Sequence, residues 1–149
     1  ALSSAASDVY KRQAVDKMDD KLGRAAIIEN GSPLFSGGTS SGESQIRRWL
    51  LDKDLIEAII ALPTDLFYNT GIATYIWVLS KNKREERKGK IQLIDASNIY
   101  HKLRKALGNK KNEITPKIVP KLHIFMLISK KMSYAKFTKM RNLCTVNIL

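Results

Sequence analysis

Two apolar runs set ten residues apart constrain this chain more than any other feature. Leu55 to Leu62 is apolar throughout except for Glu57, and it stops at Pro63. Ala73 to Ser80 reads Ala-Thr-Tyr-Ile-Trp-Val-Leu-Ser, dense in β-branched and aromatic side chains. Both runs read as strands, the first a central one. The connection from Pro63 to Ile72 is too short for a usual crossover between parallel strands, so the two are expected to be antiparallel neighbours. That connection sets Phe67 and Tyr68 side by side, followed by Asn69, Thr70 and Gly71. Adjacent aromatics on a loop between core strands either pack on their own loop or stack on a flat ligand such as a nucleic-acid base. Asn69-Thr70-Gly71 also suits the turn into the second strand.

The elements around this pair follow from the same reading. Arg24 to Glu29 is a short apolar run closed by Asn30-Gly31, which fits a buried strand. Residues 30–42 are Gly- and Ser-rich loop, and Ser40 and Glu43 have capping-box spacing. The helix expected from Glu43 to Asp52 puts Ile46, Trp49 and Leu50 on one face. Lys81 to Lys88 is a charged turn and Lys90 to Asp95 a further strand. Ala96 to Leu107 is read as helical in part, and Gly108 to Asn112 as loop. Residues 1–13 lack periodicity and read as disordered, with 14–21 the end of a helix. Strand, helix, strand, loop, strand, strand is half of an α/β sheet.

Composition narrows the function classes. At 149 residues and 44% apolar, the chain suits one globular domain. It has no apolar run long enough for a membrane span and no visible signal peptide. One cysteine, Cys144, and two separated histidines, His101 and His123, exclude a disulfide framework and offer no metal cluster. A reducing, cytoplasmic setting is the expectation. The net charge of +12 invites a nucleic-acid reading, but its distribution weakens that. Residues 117–149 hold seven basic residues and no acid, whereas residues 14–116 hold 17 basic and 13 acidic residues.

Four blocks, in order and spacing, resemble the modification subunit of type I restriction-modification systems. They are Gly-Arg-Ala-Ala-Ile-Ile-Glu-Asn-Gly-Ser-Pro-Leu-Phe (23–35), Gly-Glu-Ser-Gln-Ile-Arg-Arg-Trp-Leu-Leu (42–51), Ala-Leu-Pro-Thr-Asp-Leu-Phe-Tyr-Asn-Thr-Gly-Ile (61–72) and Gly-Lys-Ile-Gln-Leu-Ile-Asp-Ala-Ser (89–97). The resemblance covers about residues 14–116. It implies a DNA adenine N6-methyltransferase that uses S-adenosylmethionine and assembles with a specificity subunit and a restriction subunit. The implied fold is α/β: the C-terminal half of a Rossmann-like methyltransferase sheet, ending in an antiparallel β-hairpin. Residues 25–29 would be its fifth strand, and 55–62 and 74–80 its last two. Such enzymes extrude the target base, which stacks on aromatics. Phe67 and Tyr68 are the matching positions, with Thr70 and Gly71 beside them. Thr39 and Ser40 of the Gly/Ser loop and Arg47 of the next helix are candidates for the DNA backbone. A flexible connection and an exposed helix face are the bland accounts of those three. A basic α/β nucleic-acid or protein binding module without catalysis is the rival reading.

The chain also departs from the family. It contains no Asn-Pro-Pro-aromatic tetrapeptide and no first strand followed by a Gly-rich cofactor loop. The resemblance therefore implies no catalytic residue in this stretch and no methylation by the chain alone. Residues 1–13 lack family resemblance and look like translated adapter sequence. Residues 117–149 back-translate, one base earlier, into an acidic and aromatic stretch that opens EDRPKI and resembles the family's continuation. A one-base frameshift near Pro116 and a non-native tail are the expectation.

Overall fold

The computed structural model describes residues 2–31, 34, 42–121, 123 and 135–139. A helix, α1 (Leu2–Lys17), precedes strand β1 (Arg24–Asn30). Between them the Asp19 carboxylate accepts the amides of Leu22 at 2.7 Å and Lys21 at 2.9 Å. Gly23 completes this turn; a Cβ there would stand 2.2 Å from the Asp19 carbonyl oxygen, so only glycine fits. Helix α2 (Gly42–Asp52) follows, then β2 (Ile56–Ala61), β3 (Thr74–Ser80) and a single 3-10 turn at Glu85–Arg87. The chain continues through β4 (Lys90–Asp95), β5 (His101–Leu107), β6 (Lys110–Glu113) and β7 (Ala135–Lys139).

The main sheet has the order β1-β3-β2-β4-β7. β3 runs antiparallel to both β1 and β2, β2 and β4 are parallel, and β7 is antiparallel to β4. The short connection between β2 and β3 thus does what its length requires. The hairpin does not end the sheet, however: β4 and β7 extend it beyond β2. β2 is central, since both its neighbours hydrogen-bond to it and all but its last residue are buried. β1 differs from the buried strand expected of an apolar run. It lies at the edge of the sheet and alternates, with Ala25, Ile27 and Glu29 partly covered and Ala26 and Ile28 exposed.

Two further expectations are corrected. The leader read as disordered over 1–13 is helical from Leu2 onward, because α1 is tied to the sheet by its far end. Val15 joins the core, and the buried Lys11 pairs with the Glu29 carboxylate at 2.9 Å. The same ammonium stands 4.9 Å from the centre of the Trp77 ring, a cation–π contact. The stretch read as partly helical, Ala96 to Leu107, holds a strand: β5 pairs with β6 in a separate two-stranded sheet.

The two faces of the main sheet bury different clusters. Trp77 and Leu79 of β3 pack with Ile56 and Ile59 of β2 beneath Leu50 and Leu51 of α2. A bulge between Ile56 and Ala58 lets both isoleucines serve that cluster. On the other side Ile76 and Val78 meet Ile60, Leu62 and Ile94, covered by Leu66, Ile99 and Ile114. The loop after β2 and the chain after β4 therefore roof the face opposite the helices.

Glu57, the one charge in the central strand, is only 8% exposed and is held by two guanidinium groups. Arg24 of β1 reaches it at 2.5 Å and the buried Arg87 at 3.2 Å. At the same end of the sheet the buried Lys83 ammonium pairs with Asp54 and donates to the Lys90 carbonyl at 3.1 Å.

Candidate nucleic-acid interface

Parallel β2 and β4 aim their carboxyl ends the same way. The aromatic loop leaves β2 at that end, and the segment leading to β5 leaves β4 there. Ligands of open α/β sheets gather outside such strand ends.

The loop is built from its base upward. Leu62 donates its amide to the Thr74 carbonyl at 2.9 Å, and Leu62 and Pro63 are buried. Asp65 takes a positive φ of 57° and re-aims the chain. Phe67 and Thr70 then form an antiparallel bridge, so Tyr68 and Asn69 stand at the tip of a tight turn. Ile72 donates its amide to Thr70 Oγ1 at 3.2 Å. Gly71 packs on Asp65; a Cβ at Gly71 would lie 2.7 Å from the Asp65 carboxylate.

The β5–β6 hairpin clamps this loop through its backbone. Asn109 donates its amide to the Tyr68 carbonyl at 3.1 Å, and Lys111 and Asn112 donate theirs to the Asp65 carbonyl at 2.9 and 3.1 Å. The buried Asn112 side chain adds a bond to the Thr64 carbonyl at 3.0 Å. Lys110 Nζ sits 5.3 Å from the centre of the Tyr68 ring. The loop is thereby pinned at three carbonyls while its aromatics stay available: Tyr68 is 59% exposed and Phe67 half-buried.

Phe67, Tyr68, Thr70 and Gly71 are thus brought together on one short turn. Arg47 is not part of that group. It is half-buried on α2, engaged in an interaction of its own, and its helix covers the other face of the sheet. Thr39 and Ser40 lie outside the described residues. Among the described residues no helix is long and apolar enough to cross a membrane, and no three His, Cys, Asp or Glu side chains group as metal ligands.

The N-6 DNA Methylase family model matches residues 7–147. The chain belongs to that family. Relatives of this chain include the type I restriction enzyme MjaVIII methylase subunit of Methanocaldococcus jannaschii, 49% identical over 79 residues, 53% of this chain and 13% of that protein. The HindI methylase subunit of Haemophilus influenzae is 33% identical over 77% of this chain and 25% of its own length. Among solved structures, the type I methyltransferase subunit from Streptococcus thermophilus superposes with a TM-score of 0.68 at 28% identity, over 82% of this chain and 24% of that one. The chain thus spans a quarter or less of these three proteins.

The part of the site that sequence reasoning missed is the clamp. Its signal was present in Gly108-Asn109, a two-residue turn of hairpin type between Leu107 and Lys110. The family implies S-adenosylmethionine as cofactor. The glycine-bearing connection from β1 to α2, residues 31–42, lies largely outside the described residues.

Proposed function

We propose that this chain is the base-contacting portion of a type I modification subunit whose intact form methylates adenine N6 in DNA with S-adenosylmethionine. The observation that carries the reading is the Phe67–Thr70 turn, set at the carboxyl ends of β2 and β4 in a chain of the N-6 DNA Methylase family. Phe67 and Tyr68 receive the extruded adenine, and Thr70 and Gly71 shape the turn that presents them. The order β1-β3-β2, with β3 antiparallel between two strands parallel to each other, supports assignment to the C-terminal half of a Rossmann-like sheet. A specificity subunit, a restriction subunit and DNA are the partners of the intact assembly. The isolated chain binds without turnover, since it holds no Asn-Pro-Pro-aromatic tetrapeptide to engage the adenine amino group.

Two measurements test this. A duplex carrying 2-aminopurine at an unpaired site reports stacking as quenched fluorescence. The chain should quench it, and Phe67→Ala with Tyr68→Ala should not; equal quenching by both would refute the base contact. Tritiated-methyl incorporation into adenine-containing duplex should stay at background, and turnover by this chain would refute the inactive reading.

A further inference from the structure

We propose that the β5–β6 hairpin is a phosphate-gripping finger that holds the DNA backbone next to the base received by the aromatic turn. The proposal rests on the base-contact reading and adds the residues that bind the strand.

Three observations converge on it. The first is charge. The hairpin carries Lys102, Arg104, Lys105, Lys110 and Lys111 against one acid, Glu113, and that carboxylate already faces His101 at 3.2 Å. Several cations elsewhere in the fold meet carboxylates, Lys11 with Glu29, Lys81 with Asp20 and Lys88 with Glu85, and within the hairpin Lys111 comes within 3.9 Å of Asp65. Lys102, Arg104 and Lys105 are exposed and have no carboxylate partner among the described residues. Clustered like charges destabilise a two-stranded hairpin that buries almost nothing of its own, so stability does not explain them.

The second is placement. Tyr68, Ile72, Tyr100 and Leu107 are exposed large hydrophobics on the aromatic loop, the hairpin and the segment leading into it. Apolar and aromatic surface interleaved with unpaired cations suits a polyanion that also offers bases. The third is coupling. The hairpin amides bonded to Tyr68 and Asp65 fix the spacing between the cations and the aromatic turn, so a strand held by one is positioned for the other.

Neutralised phosphates release counterions, and each contributes about 0.9 to the slope of log affinity against log salt. The 149-residue chain is therefore titrated by fluorescence anisotropy, across a salt series, on the 2-aminopurine duplex. Replacing Lys102, Arg104 and Lys105 together by glutamine should lower that slope by roughly 2 to 3, with the melting temperature no lower than the parent's. A matched set at the opposite end of the sheet, Lys53→Gln, Arg84→Gln and Lys88→Gln, should leave the slope as it was. An unchanged slope in the hairpin variant, an equal fall in both sets, or no DNA binding by the parent chain overturns the proposal. If Phe67→Ala with Tyr68→Ala leaves quenching intact while the hairpin variant still lowers the slope, the base contact fails and the finger stands.

Discussion

Gly108 abuts Tyr68 so closely that a Cβ on Gly108 would stand 2.9 Å from the Tyr68 carbonyl oxygen. Gly108 also holds a positive φ of 62°, which costs a side-chain-bearing residue about 1–2 kcal/mol. Gly108→Ala should therefore push the hairpin off the loop and lower stability by about 2 kcal/mol. Hydrogen exchange checks it locally: the Asn109 amide, bonded to Tyr68 in the parent, should lose protection. Unchanged protection there would mean that the clamp tolerates the methyl group.

Asn112 tests the same clamp from its other side. Its side chain is the buried donor to Thr64, and removing it leaves that carbonyl without this bond. Asn112→Ala should cost about 1–3 kcal/mol in chemical denaturation. Limited proteolysis should then cut first within 64–73.

Glu57 is a stability residue. Breaking a buried ion pair by removing one partner costs about 3–5 kcal/mol, because the other charge is left uncompensated. Arg24 is largely exposed and can turn to water; Arg87 is buried and cannot. Glu57→Ala should thus lose about 3 kcal/mol, and pairing it with Arg87→Leu should recover part of that loss. A double-mutant cycle measures it, and simple additivity would show that the two residues do not interact.

Acid should weaken the turn after α1. The amides of Leu22, first, and Lys21 hold the Asp19 carboxyl below its ordinary 3.8. A lowered folded value means that the contribution is present above the unfolded value and lost as pH falls through the folded one. Melting temperatures of the parent and Asp19→Asn should therefore differ at neutral pH and converge as the solution is acidified below 3.8.

Residues 117–149 are open to two tests. The family match extends to residue 147 and β7 pairs with β4, whereas composition argues for a shifted reading frame. Among the described residues every buried member of both core clusters precedes residue 117, so a chain ending at Pro116 should still unfold cooperatively in a circular-dichroism melt. The nucleotide sequence across Pro116 should encode the acidic continuation one base away; third bases incompatible with it would dismiss the frameshift.

Legibility from sequence tracked burial. β2 and β3 were readable because central strands need continuous β-branched and aromatic residues, and the short connection fixed their direction. α2 was readable because one face carries Ile46, Trp49 and Leu50 into the core. β5 was not, because neither of its faces is buried, so no alternation marks it and only the Gly108-Asn109 turn betrays it. Only the last turn of α1 was read as helical; the rest was missed because a charged residue, Lys11, anchors it, and periodicity arguments score lysine as solvent-facing. The aromatic turn was located from sequence alone, but the hairpin amides that pin it involve backbone atoms, which side-chain patterns do not report.

β1 carries one more consequence. Its outer row of amides and carbonyls meets no strand among the described residues, and Ile28 lies exposed along it. Such an edge welcomes any other strand of suitable length. How long a solution of this protein stays clear is then governed by how often two molecules collide along that row. Dilution, more than any increase in folding stability, should prolong its shelf life.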